Sequence, residues 1–79
     1  MNNRGVNFMV KYNKDLIEQI RTKYTMGTKI ILYDMEGENL PLGLKGTVTF
    51  VDDLGQIHMK WENGSSLALR EDLDKFQIL

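Results

Sequence analysis

The sequence contains no cysteine. Disulfide staples, thiolate metal sites and cysteine nucleophiles are therefore excluded, and the absence fits a reducing compartment. A single histidine, His58, rules out metal sites built on two histidines. Proline and tryptophan also occur once each, as Pro41 and Trp61. Charge of neither sign dominates, with 10 basic and 11 acidic residues and a net charge of -1. The basic surplus usual in a nucleic-acid module is missing from the chain as a whole. No apolar run approaches the roughly 20 residues that span a bilayer, and no signal-peptide core is present. A membrane partner is not expected, and the expected address is cytoplasmic. At 79 residues there is room for one domain, which buries only about 60–65% of its unfolded surface.

What is present falls into two regimes. Residues 1–10 are polar and aperiodic and read as a flexible tail, which leaves residues 11–79 as the single domain. From Asn13, a plausible N-cap, Leu16, Ile17, Ile20 and Tyr24 mark one apolar stripe and predict a helix over about 14–24. Asp15 suits its positive end, and Arg21 and Lys23 its negative end. After Gly27 the period shortens. Residues 28–34, TKIILYD, predict a first strand. Residues 35–44 form a long irregular loop. In 46–52, GTVTFVD, alternation sends Val48 and Phe50 to the core. DDLG at 52–55 is a turn in which Gly55 takes positive φ. In 56–62, QIHMKWE, Ile57, Met59 and Trp61 face one way and His58, Lys60 and Glu62 the other. Asn63-Gly64 predicts a two-residue hairpin of type I′. A strand with Leu67 and Leu69 on one face follows, then a tight turn at EDLD, then a last strand carrying Phe76 and Ile78.

Five short strands in this order, over residues 28–79, predict a mainly β fold. The expected form is a small SH3-like five-stranded β-barrel with one N-terminal α-helix. Its expected core is Ile30, Leu32, Val48, Phe50, Ile57, Met59, Trp61, Leu67, Leu69, Phe76 and Ile78, with the helix stripe docked on it.

The stretches GTKIILYDM, GLKGTVTFVDDLGQIHMKWENGSSLAL and DKFQIL together resemble the domain-of-unknown-function family 4314, a small domain of bacteria, phages and mobile elements. The family pattern opens on L-R-x-x-Y-P-x-G-T, matched by Ile20, Arg21, Tyr24 and Gly27-Thr28. It continues to W-D-N-G, matched by Trp61-Glu62-Asn63-Gly64, and ends on Asp74 and Phe76. The resemblance covers roughly residues 20–79. Thr25 stands where the pattern has proline, and the proline-rich part of the long loop is reduced to Pro41. The resemblance implies a fold and an origin and supplies no catalytic residue.

His58, flanked by Ile57 and Met59, is expected on an exposed face, with no nucleophile motif around Ser65, Ser66 or Thr49. Trp61 is expected in the core, its indole N–H needing a partner; at the rim it would form an aromatic wall with Tyr33. The acidic residues Asp34, Glu36 and Glu38 do not make a calcium loop, and Asp52 and Asp53 suit turn geometry. No cofactor and no metal site are expected. GLKG, at 43–46, resembles the start of a KOW-type strand, where glycine permits a bend at the barrel's corner. Lys45, Lys60, Arg70 and Lys75 could make a basic strip, but Glu62, Glu71, Asp72 and Asp74 dilute it. The expected function is a non-enzymatic module that binds a protein or peptide through Tyr33, Met35, Leu40, Pro41, Leu42 and Trp61. The alternatives are nucleic-acid binding on a face carrying Lys45 and Lys60, or capture of a small anionic ligand within an oligomer. The helix stripe is also suited to homodimer contact.

Overall fold

The computed structural model describes residues 13–35, 37 and 40–79; the expected tail, residues 1–10, lies outside them. Helix α1 spans Lys14–Lys23. Asn13 caps it, its Oδ1 accepting from the Leu16 N–H at 2.9 Å, which satisfies one of the free donors of the first turn. A helix of 10 residues does not persist alone in water. Its stripe is accordingly docked: Ile20 and Tyr24 are buried, and Leu16 packs against the core.

Four strands follow, β1 at Lys29–Asp34, β2 at Lys45–Val51, β3 at Ile57–Trp61 and β4 at Lys75–Ile78. They form one antiparallel sheet in the order β3-β2-β1-β4. Among the described residues the protein is thus mainly β with one helix, and the sheet is open. Where a fifth strand was expected, over residues 65–70, there is a single bridge between Leu69 and Ile57. Part of the reason is Trp61. Its indole N–H donates to the Leu67 carbonyl at 2.8 Å, which engages an acceptor that a regular ladder would need.

Most of the expected core is found inside: Ile30, Leu32, Val48, Ile57, Met59, Trp61 and Leu69 are all buried. Three of the expected residues differ. Phe50 is 54% exposed, because a bulge between Val48 and Phe50 inserts a residue into β2. Beyond it the alternation changes phase: Phe50 pairs with the outward His58, and Val51 pairs with Ile57 and turns inward. Ile78 lies opposite the buried Ile30, yet β4 is an outer strand and leaves it 39% exposed. Leu67 sits where no ladder forms and is 38% exposed. Phe76 is half-buried against Tyr24, their ring centroids 5.6 Å apart.

The hairpin after β3 also departs from expectation. Gly64 has φ +87° while no residue other than glycine has positive φ among the described residues. A type I′ pair would need it at Asn63 as well. Instead, Trp61 O accepts from the Gly64 N–H at 3.0 Å and the Trp61 N–H reaches Ser65 O at 3.1 Å. The result is a three-residue loop, 62–64, closed by a left-handed glycine. The turn between β2 and β3 repeats this plan, with Gly55 at φ +81° and bonds Gly55 N–H to Asp52 O and Asp52 N–H to Gln56 O, both 3.0 Å.

The long loop is pinned at its base: the Leu32 N–H donates to Leu44 O and the Gly43 N–H to Leu32 O, each at 2.8 Å. Met35 is buried, and Leu40 and Leu44 pack on the core. Among the described residues, no helix is long and apolar enough to cross a membrane.

Candidate functional site

Alternation along the strands sends one set of side chains to the core and the other to an open outer face. On β1 the outward set is Lys29, Ile31 and Tyr33, and on β2 it begins with Lys45 and Thr47. On β3 it is His58 and Lys60. Register lines these up. Lys29 stands opposite Thr47, and Thr47 opposite Lys60, so the three form a row across β1, β2 and β3. Lys29 Nζ donates to Thr47 Oγ1 at 2.7 Å. Lys45 flanks the row, opposite Ile31. A hollow of about 140 Å³ lies between Lys29, Lys45, Gly46, Thr47, Glu62 and Leu79.

The aromatic end of this face is built by the bulge. Phe50 stacks on His58 with centroids 4.2 Å apart and planes 8° from parallel. Asp52 holds the histidine, its Oδ2 lying 2.8 Å from His58 Nε2. The other oxygen, Oδ1, accepts from the Leu54 and Gln56 N–H groups at 3.0 and 2.9 Å. Asp52 is therefore the turn residue that the sequence implies and the group that orients His58. Thr49 Oγ1 donates to the His58 carbonyl at 3.1 Å.

Phe50 also lines a groove of about 320 Å³ with Arg21, Tyr24, Thr25, Met26, Thr49 and Val51. Thr25 and Met26 line it because residues 25–28 run beside β2, with the Gly27 N–H on Val48 O at 2.9 Å and the Val48 N–H on Thr28 O at 2.8 Å. Met26 projects there, 81% exposed. Arg21 fixes α1 at this end: Nη2 donates to the carbonyls of Val51 at 3.2 Å and Asp52 at 3.1 Å.

The acidic residues that dilute the basic strip in the sequence are mostly engaged elsewhere. Glu71 accepts from the Tyr24 hydroxyl at 2.7 Å and from Lys23 Nζ at 3.2 Å. Burial, and then the Glu71 carboxylate, push the Tyr24 hydroxyl well above the usual phenol range. Asp72 takes the Arg70 guanidinium on both oxygens, at 3.0 and 2.6 Å. Asp74 accepts from the Arg70 backbone N–H at 2.7 Å. Arg70 itself is buried and so leaves the strip in which the sequence placed it. Among the described residues, no carboxylate lies within ion-pairing distance of Lys29, Lys45 or Lys60. Also among the described residues, no group of three or more metal-ligating side chains converges.

The other expected contacts are dispersed. Met35 and Trp61 lie in the core at 3% and 2% exposure, out of reach of a partner, and Leu40 packs partly on that core. Tyr33 is exposed, its hydroxyl donating to Gln77 Oε1 at 2.9 Å. Pro41 and Leu42 are exposed on the loop, Leu42 at 77% because it stands at the tip of the turn closed by the Leu44 N–H on Pro41 O. Lys45 and Lys60, by contrast, do share a face. Lys29 was missed, although its parity against Ile30 and Leu32 was readable; Phe50 depends on a bulge that no local signal announces.

No curated protein matches the chain. The family described as Domain of unknown function (DUF4314) matches residues 13–79, which takes in α1 as well as the sheet, and the chain belongs to that family.

Proposed function

We propose that this domain is a non-enzymatic binding module and that the outer face of its sheet binds nucleic acid. The observation that carries the reading is the row Lys29, Thr47 and Lys60, flanked by Lys45, with no carboxylate paired to these lysines among the described residues. Lysine ammonium groups and a threonine hydroxyl are the donors that phosphate oxygens accept from. Of the four acids that dilute the strip, Glu71, Asp72 and Asp74 are held by Tyr24, Lys23 and Arg70, and Glu62 alone lines the hollow beside Lys29 and Lys45. An SH3-like architecture suits such a face, and the Leu69–Ile57 bridge supports it by carrying the strand row one position past β3. A cytoplasmic address goes with the same reading.

Binding to phosphates releases counterions, so affinity for a single strand should fall with salt at a log–log slope of about −2 for three lysines. Fluorescence anisotropy with a labelled oligothymidylate across a salt series measures this. The double variant Lys29→Glu/Lys60→Glu should lose the binding while keeping the fold. No binding at low salt, or an affinity indifferent to salt, would sink the reading.

A second reading, protein contact through the long loop, is supported by the exposure of Leu42, 77% on a pinned turn. Leu42→Asp should leave the thermal midpoint unchanged and weaken selected peptide ligands about tenfold. Ligands that bind the variant equally well would dispose of this reading.

A further inference from the structure

The groove beside Phe50 lies between the end of α1, residues 25–26 and β2. It is lined mainly by apolar groups of Tyr24, Met26, Phe50 and Val51, and Phe50 pairs with His58, two residues from Lys60 on β3. Its volume is about 320 Å³, and it is open to solvent rather than enclosed. Phe50 and Met26 are both exposed there. The Phe50 ring is held flat by its stack on His58, and Asp52 holds His58 in turn.

We infer that this groove accepts one unstacked nucleobase, so that the face selects single-stranded nucleic acid over duplex. The inference rests on the nucleic-acid reading above and adds to it the class of strand. Its geometry follows from the strand. His58 and Lys60 are two residues apart on β3, roughly 7 Å at strand rise, which is the spread of one extended nucleotide. A phosphate on Lys60 therefore leaves the adjoining base within reach of Phe50 and the groove. Base stacking on an exposed aromatic tolerates any sequence, because every base has a π-face. In a duplex those faces are covered, and only the lysines remain for contact. An acidic protein segment would meet the same lysines but has nothing planar to place on Phe50.

The test compares a labelled oligothymidylate, a blunt duplex of the same length and a polyglutamate peptide by anisotropy at one low salt concentration. The single strand should bind about tenfold or more tightly than the duplex, by the usual worth of one stacked base. Phe50→Ala should erase that preference, and Phe50→Tyr should restore it. Phe50 is exposed, so both variants should keep the wild-type thermal midpoint. Equal affinity for strand and duplex, lost on both with Lys29→Glu/Lys60→Glu, would overturn the base groove and leave the phosphate face standing. Polyglutamate bound as tightly as the oligonucleotide would overturn the inference in favour of an acidic protein partner. Binding of neither nucleic acid would overturn both readings together.

Discussion

Gly46 shows how much one hydrogen atom can decide in a core this small. Its backbone needs no glycine-only conformation, yet a Cβ there would stand 2.6 Å from Trp61 Cε3 and 3.1 Å from the Lys60 carbonyl. Trp61 is 2% exposed and tied by its indole N–H to Leu67 O, so the ring has little room to retreat. Gly46→Ala is expected to destabilise the domain by about 1–3 kcal/mol, the usual range for overpacking. Urea denaturation checks this, and an unchanged midpoint would show that the ring yields freely. The sequence suggests a strand corner at GLKG; the structure gives the second of its glycines a steric role beneath a tryptophan. Gly64 is the complementary case. At φ +87° it is required by conformation alone, since a Cβ added there would meet nothing within 4 Å.

At the level of elements, periodicity was a good guide wherever the chain is regular. The helix ends within a residue of its expected limits, and β1 and β3 bury the residues that alternation assigns to them. What escaped was set by contacts between segments. The β2 bulge shifts the parity of Phe50 and Val51, and nothing in GTVTFVD marks an extra residue. The fifth strand does not extend beyond the Leu69–Ile57 bridge, where a side chain from β3 takes the Leu67 carbonyl. The aromatic half of the candidate site was illegible for the first of these reasons. Its basic half was partly legible: Lys45 and Lys60 were identified, but their alignment with Lys29 exists only once β1, β2 and β3 are in register. The engagement of Glu71 by Lys23 and Tyr24 likewise depends on the fold that brings α1 beside the turn before β4, whereas Asp72 and Asp74 are held locally by Arg70.

Over the whole molecule, charge is sorted more strictly than composition suggests. Arg21, Lys23 and Arg70 are paired with carboxylates, and Lys29, Lys45 and Lys60 are left facing outward without such partners among the described residues. The Tyr24–Glu71 contact that helps this sorting also carries a pH dependence. The folded state holds the Tyr24 proton to higher pH than the unfolded chain, whose phenol titrates at about pH 10. Holding the Tyr24 hydroxyl protonated, by burial first and then by Glu71, therefore costs no stability below about pH 10 and lowers it as pH rises beyond that. Tyr24→Phe should be less sensitive to alkaline pH than the wild type, as read from urea midpoints across that range. Parallel declines in the two proteins would exclude Tyr24 as the cause.

The single tryptophan has a further consequence, which is optical. Trp61 is the only indole in the chain, and it is enclosed by the core. Emission excited at the red edge of the spectrum, where tyrosine does not absorb, therefore reports on that enclosure alone. Ligands on the outer face do not touch the ring, whereas loosening of the interior exposes it to water and shifts its colour. The domain thus carries an intrinsic probe of folding that is separate from any signal attached to a bound strand, and both can be followed in one cuvette.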